Sequence, residues 1–201
     1  MDQKELHNGL KKLREKTFCF VRKCTMVLLI LEEYLRGIMA FEKHLGSIFI
    51  QVSDSCSPKR KDELFIFLQS LPKDLPFFLE VRHTDWFTKE SISNELFSFL
   101  KENNLGAVIT DAAGRRDCCH MNLTLPKTFI RYVGNSLHKS DYTRIDTWIE
   151  RMKYWINNGI EEIFFFMHMH DEAYSPELTV YLVDKINEAC GLNLQKPIML
   201  N

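Results

Sequence analysis

An α/β fold with a parallel sheet, closed as a barrel rather than spread as an open doubly wound layer, is what this sequence predicts. Three observations carry the prediction. Six short apolar or β-branched runs alternate with longer stretches of helical spacing. Each strand–helix–strand step takes about 30 residues or a little more, which leaves room for a covering helix and so points to parallel strands. All six runs also end in polar or charged residues: Arg22-Lys23, Gln51, Glu80-Val81-Arg82-His83, Asp111, Arg131 and His168. A barrel gathers the carboxyl ends of all its strands at one mouth, whereas an open sheet concentrates its chemistry at one switch point. Polar endings on every strand favour the barrel.

The first element, Asp2 to Lys16, sets Leu6, Leu10 and Leu13 at helical spacing among lysines and glutamates and reads as an amphipathic helix. Thr17-Phe18-Cys19-Phe20-Val21, β-branched and aromatic, is the first strand. Met26 to His44 returns to helical spacing, and Gly46 is its stop signal. The second strand, Ser47 to Val52, leads through the polar turn Ser53 to Ser57 to Pro58, which suits the first turn of a helix. That helix runs to Ser70, with Leu64, Phe67, Leu68 and Leu71 on one face. The third strand begins at Phe77 and surfaces into charge at Glu80, Arg82 and His83, as a buried parallel strand does at a polar cleft. Thr84 or Asp85, and then Thr88, are candidate N-caps for a helix from Lys89 to Asn103.

Ala107 to Asp111 is the fourth strand. The loop from Ala112 to Lys127 is long and polar, of a length that in compact domains often carries function. Thr128 to Val133 is the fifth strand, followed by a helix from Asp141 to Asn157 whose stripe is Ile145, Trp148, Ile149, Met152 and Trp155. Glu162 to His168 is the sixth strand and Pro176 to Cys190 the last helix.

A chain of 201 residues suits one well-buried domain. Its net charge of -1 and pI near 6.7 favour neither nucleic acid nor an anionic membrane as partner. The longest apolar run, Met26 to Leu31, is far below the roughly 20 residues that span a bilayer. Six cysteines without a CxxC spacing, in a chain showing no secretory leader, read as reduced thiols of a cytoplasmic protein. No glycine fingerprint follows the first strand, which argues against a dinucleotide site.

Glu80-Val81-Arg82-His83 with Trp86 resembles the YecE-like family, also called domain of unknown function seventy-two, whose pattern there is an apolar strand, Glu-x-Arg-His and a following Trp. Other blocks agree in order: Phe18-x-Phe20-x-x-Lys23, Leu45-Gly46 ahead of Phe49-Ile50-Gln51, Leu71-Pro72, Asp111, and Ile130-Arg131-Tyr132-x-Gly134, with Tyr142 and Trp148 beyond. The resemblance implies a TIM-barrel-like parallel β/α fold, here incomplete, with six of the family's eight strands in one domain over residues 1–201. The family's first two β/α units have no counterpart before Asp2, and its frequent Phe-Asn-Asn at the last strand is replaced by His168-Met169-His170-Asp171. An incomplete barrel leaves edges at Thr17 to Val21 and Ile163 to Met167, so self-association through them is expected.

Side chains alternate along a strand, so Glu80 and Arg82 share a face, as do Phe129 and Arg131. The expected ligand is a small polar or anionic molecule. Arg82 and Arg131 would hold it by bidentate contacts and Lys23 by a point charge, with Gln51, His83 and Tyr132 as further binding residues. Glu80 and Asp111, expected to face each other across the mouth, are the acid/base candidates, with hydrolase or isomerase chemistry in view. The same charges equally fit a salt-bridge lattice that fills the top barrel layer, and a non-catalytic remnant is the corresponding alternative function. The most metal-like feature is His168-Met169-His170-Asp171, where two histidines at i and i+2 of a strand point the same way and an Asp follows. A divalent metal there, with His83, Asp111 or His120 as third ligand, would make a metal-dependent hydrolase. Cys118-Cys119-His120 lacks an activating base at fixed spacing.

Overall fold

In the computed structural model, which describes residues 33–198, five strands lie parallel in chain order. They are β1 (Ile48–Gln51), β2 (Phe77–Glu80), β3 (Gly106–Ala112), β4 (Lys127–Val133) and β5 (Glu162–His168). The covering helices are α1 (Lys61–Ser70) between β1 and β2, α2 (Asp85–Thr88) and α3 (Glu90–Glu102) between β2 and β3, α4 (Lys139–Asn157) between β4 and β5, and α5 (Ser175–Cys190) after β5. Each strand pairs with the next, and the sheet curls into a half-barrel, a partial TIM-barrel-like arrangement. The expected strand Thr17 to Val21, Lys23 and the helix before them lie outside the described residues. The predicted helix over Met26 to His44 is seen from residue 33 and tightens into a 3₁₀ turn over Met39–His44, broken by Glu42 at φ 46°.

The outer face of the sheet is covered in two parts. Ile48, Phe77 and Leu79 pack against Leu64 and Leu68 of α1 and Leu96 and Leu100 of α3. Ile109, Ile130 and Tyr132 pack against Ile145, Trp148 and Ile149 of α4 and Leu178 and Leu182 of α5. The stripes of these helices repeat every three or four residues, so one face of each meets the sheet. Each such side chain buried in full contributes about 1.5–3 kcal/mol.

The inner face is built differently. Phe78, Val108 and Phe129 form a separate apolar cluster with Phe49 and Phe164, and the Phe129 ring lies 5.5 Å from that of Phe49 and 5.9 Å from that of Phe78. Phe78 lies so close to Gly106 at the start of β3 that any Cβ there would overlap its ring. Two residues further along β2, β3 and β4 the same face turns polar, Phe78 giving way to Glu80, Val108 to Thr110 and Phe129 to Arg131, and on β5 Phe164 is followed by Phe166 before the face turns polar at His168. An aromatic floor thus supports a charged rim at the carboxyl ends. β5 pairs only with β4 among the described residues, and its inner-face Phe166 is 54% exposed while stacking on Phe129 at 4.5 Å.

Candidate functional site

The rim encloses a cleft of about 170 Å³ at the carboxyl ends of β2 to β5. Glu80, Arg82, Thr110, Arg115, Arg131 and His168 supply its polar lining, with Ala112, Val133 and Cys118 between them. Glu80 is the centre. Its side chain is 1% exposed, and burying a carboxylate costs several kcal/mol unless it is paired and hydrogen-bonded. Oε1 accepts from the Thr110 hydroxyl at 2.6 Å and from Arg131 Nη1 at 3.3 Å, and lies 3.9 Å from Arg82 Nη1. Oε2 has no hydrogen-bond partner among the described residues.

The arginines are themselves held. Arg82 donates from Nε to Asp54 Oδ1 at 2.7 Å, and Arg115 Nη1 approaches the same oxygen at 3.8 Å. Arg115 reaches the rim because the chain doubles back after β3, pairing Ala112 with Arg115 in an antiparallel bridge. Asp117 accepts from Arg115 Nε at 3.2 Å. Partial burial raises the Asp117 pKa, but the Arg115 hydrogen bond and charge outweigh that and leave the carboxyl below its usual value. Among the described residues Arg131 contacts only Glu80 through its guanidinium.

Glu80, Arg82, Arg131 and His168 thus come together at one mouth. Asp111 does not join them. In β3 the inner position is Thr110, and Asp111, 1% exposed, faces the helices: its Oδ1 accepts from Arg144 Nη1 at 2.9 Å and its Oδ2 from Trp148 Nε1 at 2.8 Å. Arg116 Nη1 approaches Asp111 at 3.4 Å from the surface. Tyr132 shares that outer side, its hydroxyl donating to the Asp141 carbonyl at 2.9 Å with the Arg144 guanidinium 4.3 Å from its ring centre. Burial pushes its phenol pKa well up. The expected pairing of Glu80 with Asp111 across the mouth, and Tyr132 as a ligand contact, are therefore corrected by strand alternation.

Gln51 is exposed at the end of β1, in register with Glu80 but not on the cleft lining. β2 ends at Glu80, and His83 turns toward α2, where Nδ1 accepts from the Asp85 backbone N–H at 3.2 Å. The metal-like segment divides in the same way. β5 stops at His168, so the two-residue alternation does not carry His170 to its side. His168 pairs with Glu172, His170 is exposed, and Asp171 accepts from the Ala173 N–H at 3.0 Å to cap the following turn. Among the described residues no three His, Cys, Asp or Glu side chains are grouped to hold a metal ion.

The cysteine loop is inert by burial. Burial, with the Asp117 charge adding to it, pushes the Cys118 thiol up to about 11, so it stays protonated at neutral pH and is a poor nucleophile. His120 sits 5.7 Å from the Phe87 ring and 4.6 Å from that of Phe97, and burial pulls its pKa down to about 4. Its Nε2 lies 3.0 Å from the Val108 carbonyl, an acceptor only, so Nε2 carries the proton, while Nδ1 accepts from the Asn122 N–H.

Thr110, Arg115 and Asp54 belong to the site without having stood out in the sequence. Thr110 follows from counting two residues on from Val108, but Val108, Ile109 and Thr110 show no apolar–polar alternation that would fix the count.

Comparison with known proteins agrees with this fold. A family model described as "Protein of unknown function DUF72" matches residues 14–198. The UPF0759 protein YecE of Escherichia coli (strain K12) is 25% identical over 167 residues, covering 74% of this chain and 61% of that protein. The chain thus spans about three fifths of the length of the curated relatives it matches. A DUF72 family protein of Enterococcus faecalis V583 superposes with a TM-score of 0.60 at 15% identity, over 87% of this chain and 70% of that one. One from Thermotoga maritima MSB8 gives 0.56 at 16% identity, over 80% and 64%. No helix among the described residues is long and apolar enough to cross a membrane.

Proposed function

The chain belongs to the DUF72 family of proteins of unknown function, and from that starting point we propose that its rim binds a small anionic ligand at the carboxyl ends of β2 to β5. One observation carries the reading: the fully buried Glu80 has one oxygen tied to Thr110 and Arg131 and the other without a partner, on the lining of a cleft shared by Arg82, Arg115 and Arg131. An orphaned buried acceptor costs about 1–3 kcal/mol, which a donor on a bound ligand would recover. Arg131 holds the anion with the edge of its guanidinium that Glu80 does not use. Among the lining groups Glu80 and His168 are the acid/base candidates, the buried Cys118 thiol being held protonated, so a reaction at this rim would run through them rather than through Asp111.

The test is thermal unfolding of the wild-type protein and of Arg131→Ala against small carboxylates and inorganic phosphate. A ligand at a hundred times its Kd adds about 2.7 kcal/mol of stability, a shift that is read easily. The reading expects such a shift in the wild type and its loss in Arg131→Ala. An equal shift in both proteins removes Arg131 from the site.

A further inference from the structure

We infer that the ligand is a small anion with a hydroxyl next to its anionic group, an α- or β-hydroxy carboxylate or a polyol phosphate. This rests on the anion-binding reading above and adds the second half of the molecule. The anionic half is matched by Arg131, whose Nη1 donates to Glu80 and whose other N–H groups have no partner among the described residues. Those groups form the flat edge that receives a carboxylate or phosphate through two parallel bonds.

The hydroxyl half is matched by Glu80. Its Oε2 is buried and lacks a donor, while Oε1 is occupied by Thr110 and Arg131. Oε2 has room for one donor, and a ligand hydroxyl beside an anionic group can supply it. Arg131 Nη1 lies 3.3 Å from Glu80 Oε1, which makes the two side chains neighbours and favours a ligand whose two groups are close together in the molecule. That spacing is the reason for placing the hydroxyl on the first or second carbon from the acid. Size and lining agree. A cleft of about 170 Å³ lies well below the roughly 300–1,000 Å³ of sites for drug-sized ligands, and Ala112 and Val133 offer a short carbon chain an apolar surface.

The hydroxyl's contribution can be read as a ratio of affinities. A hydrogen bond to a charged group corresponds to about a ten- to hundredfold gain in binding. Isothermal titration of the intact protein compares glycerate with propionate and glycerol 3-phosphate with propyl phosphate, with acetate and inorganic phosphate as plain anions. The expected result is a ten- to hundredfold preference for the hydroxylated member of at least one pair, and the pair that shows it separates carboxylate from phosphate. In Glu80→Gln the preference falls toward one. Should that variant not fold, the wild-type ratios decide alone. Equal affinities within both pairs overturn the inference while leaving the anion reading standing. Binding of none of the six compounds overturns both.

Discussion

Replacing Asp111 with Ala removes the acceptor that takes two hydrogen bonds from α4. The carboxylate is 1% exposed and takes one hydrogen bond from Arg144 at 2.9 Å and another from Trp148 at 2.8 Å, which tie the end of β3 to α4. A hydrogen bond to a charged group contributes about 1.5–3 kcal/mol, so the two together set a range of roughly 3–6 kcal/mol. The lower end applies. Arg144 keeps Asp141 at 2.8 Å and the Val133 carbonyl at 3.1 Å, so its charge is not left uncompensated, and Arg116, 54% exposed, adds little. Asp111→Ala is therefore expected to lose about 3–4 kcal/mol, or roughly 6–16 °C in Tm for a chain of this size. Urea denaturation with an unchanged m-value measures it. The folded variant should bind any cleft ligand as the wild type does, because Asp111 is not on the lining. A stability loss below about 0.5 kcal/mol, the range of ordinary surface substitutions, would refute the tertiary role. Loss of ligand binding in the folded variant would return Asp111 to the site.

His120 gives a pH dependence. Its folded pKa of about 4 lies below its ordinary value of 6.5, so its contribution is fully present above pH 6.5 and is lost as pH falls from there through 4. At 1.36 kcal/mol per unit this amounts to roughly 3–3.5 kcal/mol. His120→Gln should lose that part of the slope, and parallel stability curves for the two proteins between pH 6.5 and 4 would count against it. Two glycines make a contrasting pair. Gly106→Ala forces a Cβ into the Phe78 ring, whereas Gly134→Ala meets the flexible thioether of Met169. Gly106→Ala should cost about 1–3 kcal/mol by overpacking and Gly134→Ala clearly less, as chemical denaturation would show; the reverse order would mean that the Phe78 ring yields and the Met169 end does not.

The fold was legible because its signal is periodic. Apolar runs and helical stripes recur through the chain, and the described strands fall within a residue or two of where those runs lie. The candidate site was legible where the alternation ran within a strand, as for Arg131 above Phe129, and illegible where it did not; Arg82, two residues past the end of β2, reaches the lining without it. Asp111 follows Ala107-Val108-Ile109-Thr110, which shows no apolar–polar alternation, so nothing local shows which face it takes. The information lay in α4: Asp141, Arg144 and Trp148, at helical spacing, share the face that otherwise carries Ile145, Ile149 and Met152. On that buried stripe Arg144 pairs with Asp141, and its second Nη together with the Trp148 N–H is satisfied across the interface by Asp111. His168 and His170 are the opposite case, since the alternation was counted past the point where the strand ends. Arg115 and Asp54 are brought in by a loop reversal and a surface turn, which leave no periodic trace.

The central claim concerns one buried carboxylate and the guanidinium beside it. A crystal structure of the protein soaked with glycerate tests it most directly. The account predicts the ligand carboxylate against the Arg131 guanidinium and a ligand hydroxyl within hydrogen-bond distance of Glu80 Oε2. A ligand bound on the lining with Glu80 Oε2 still unpartnered, or bound away from Arg131, would contradict it.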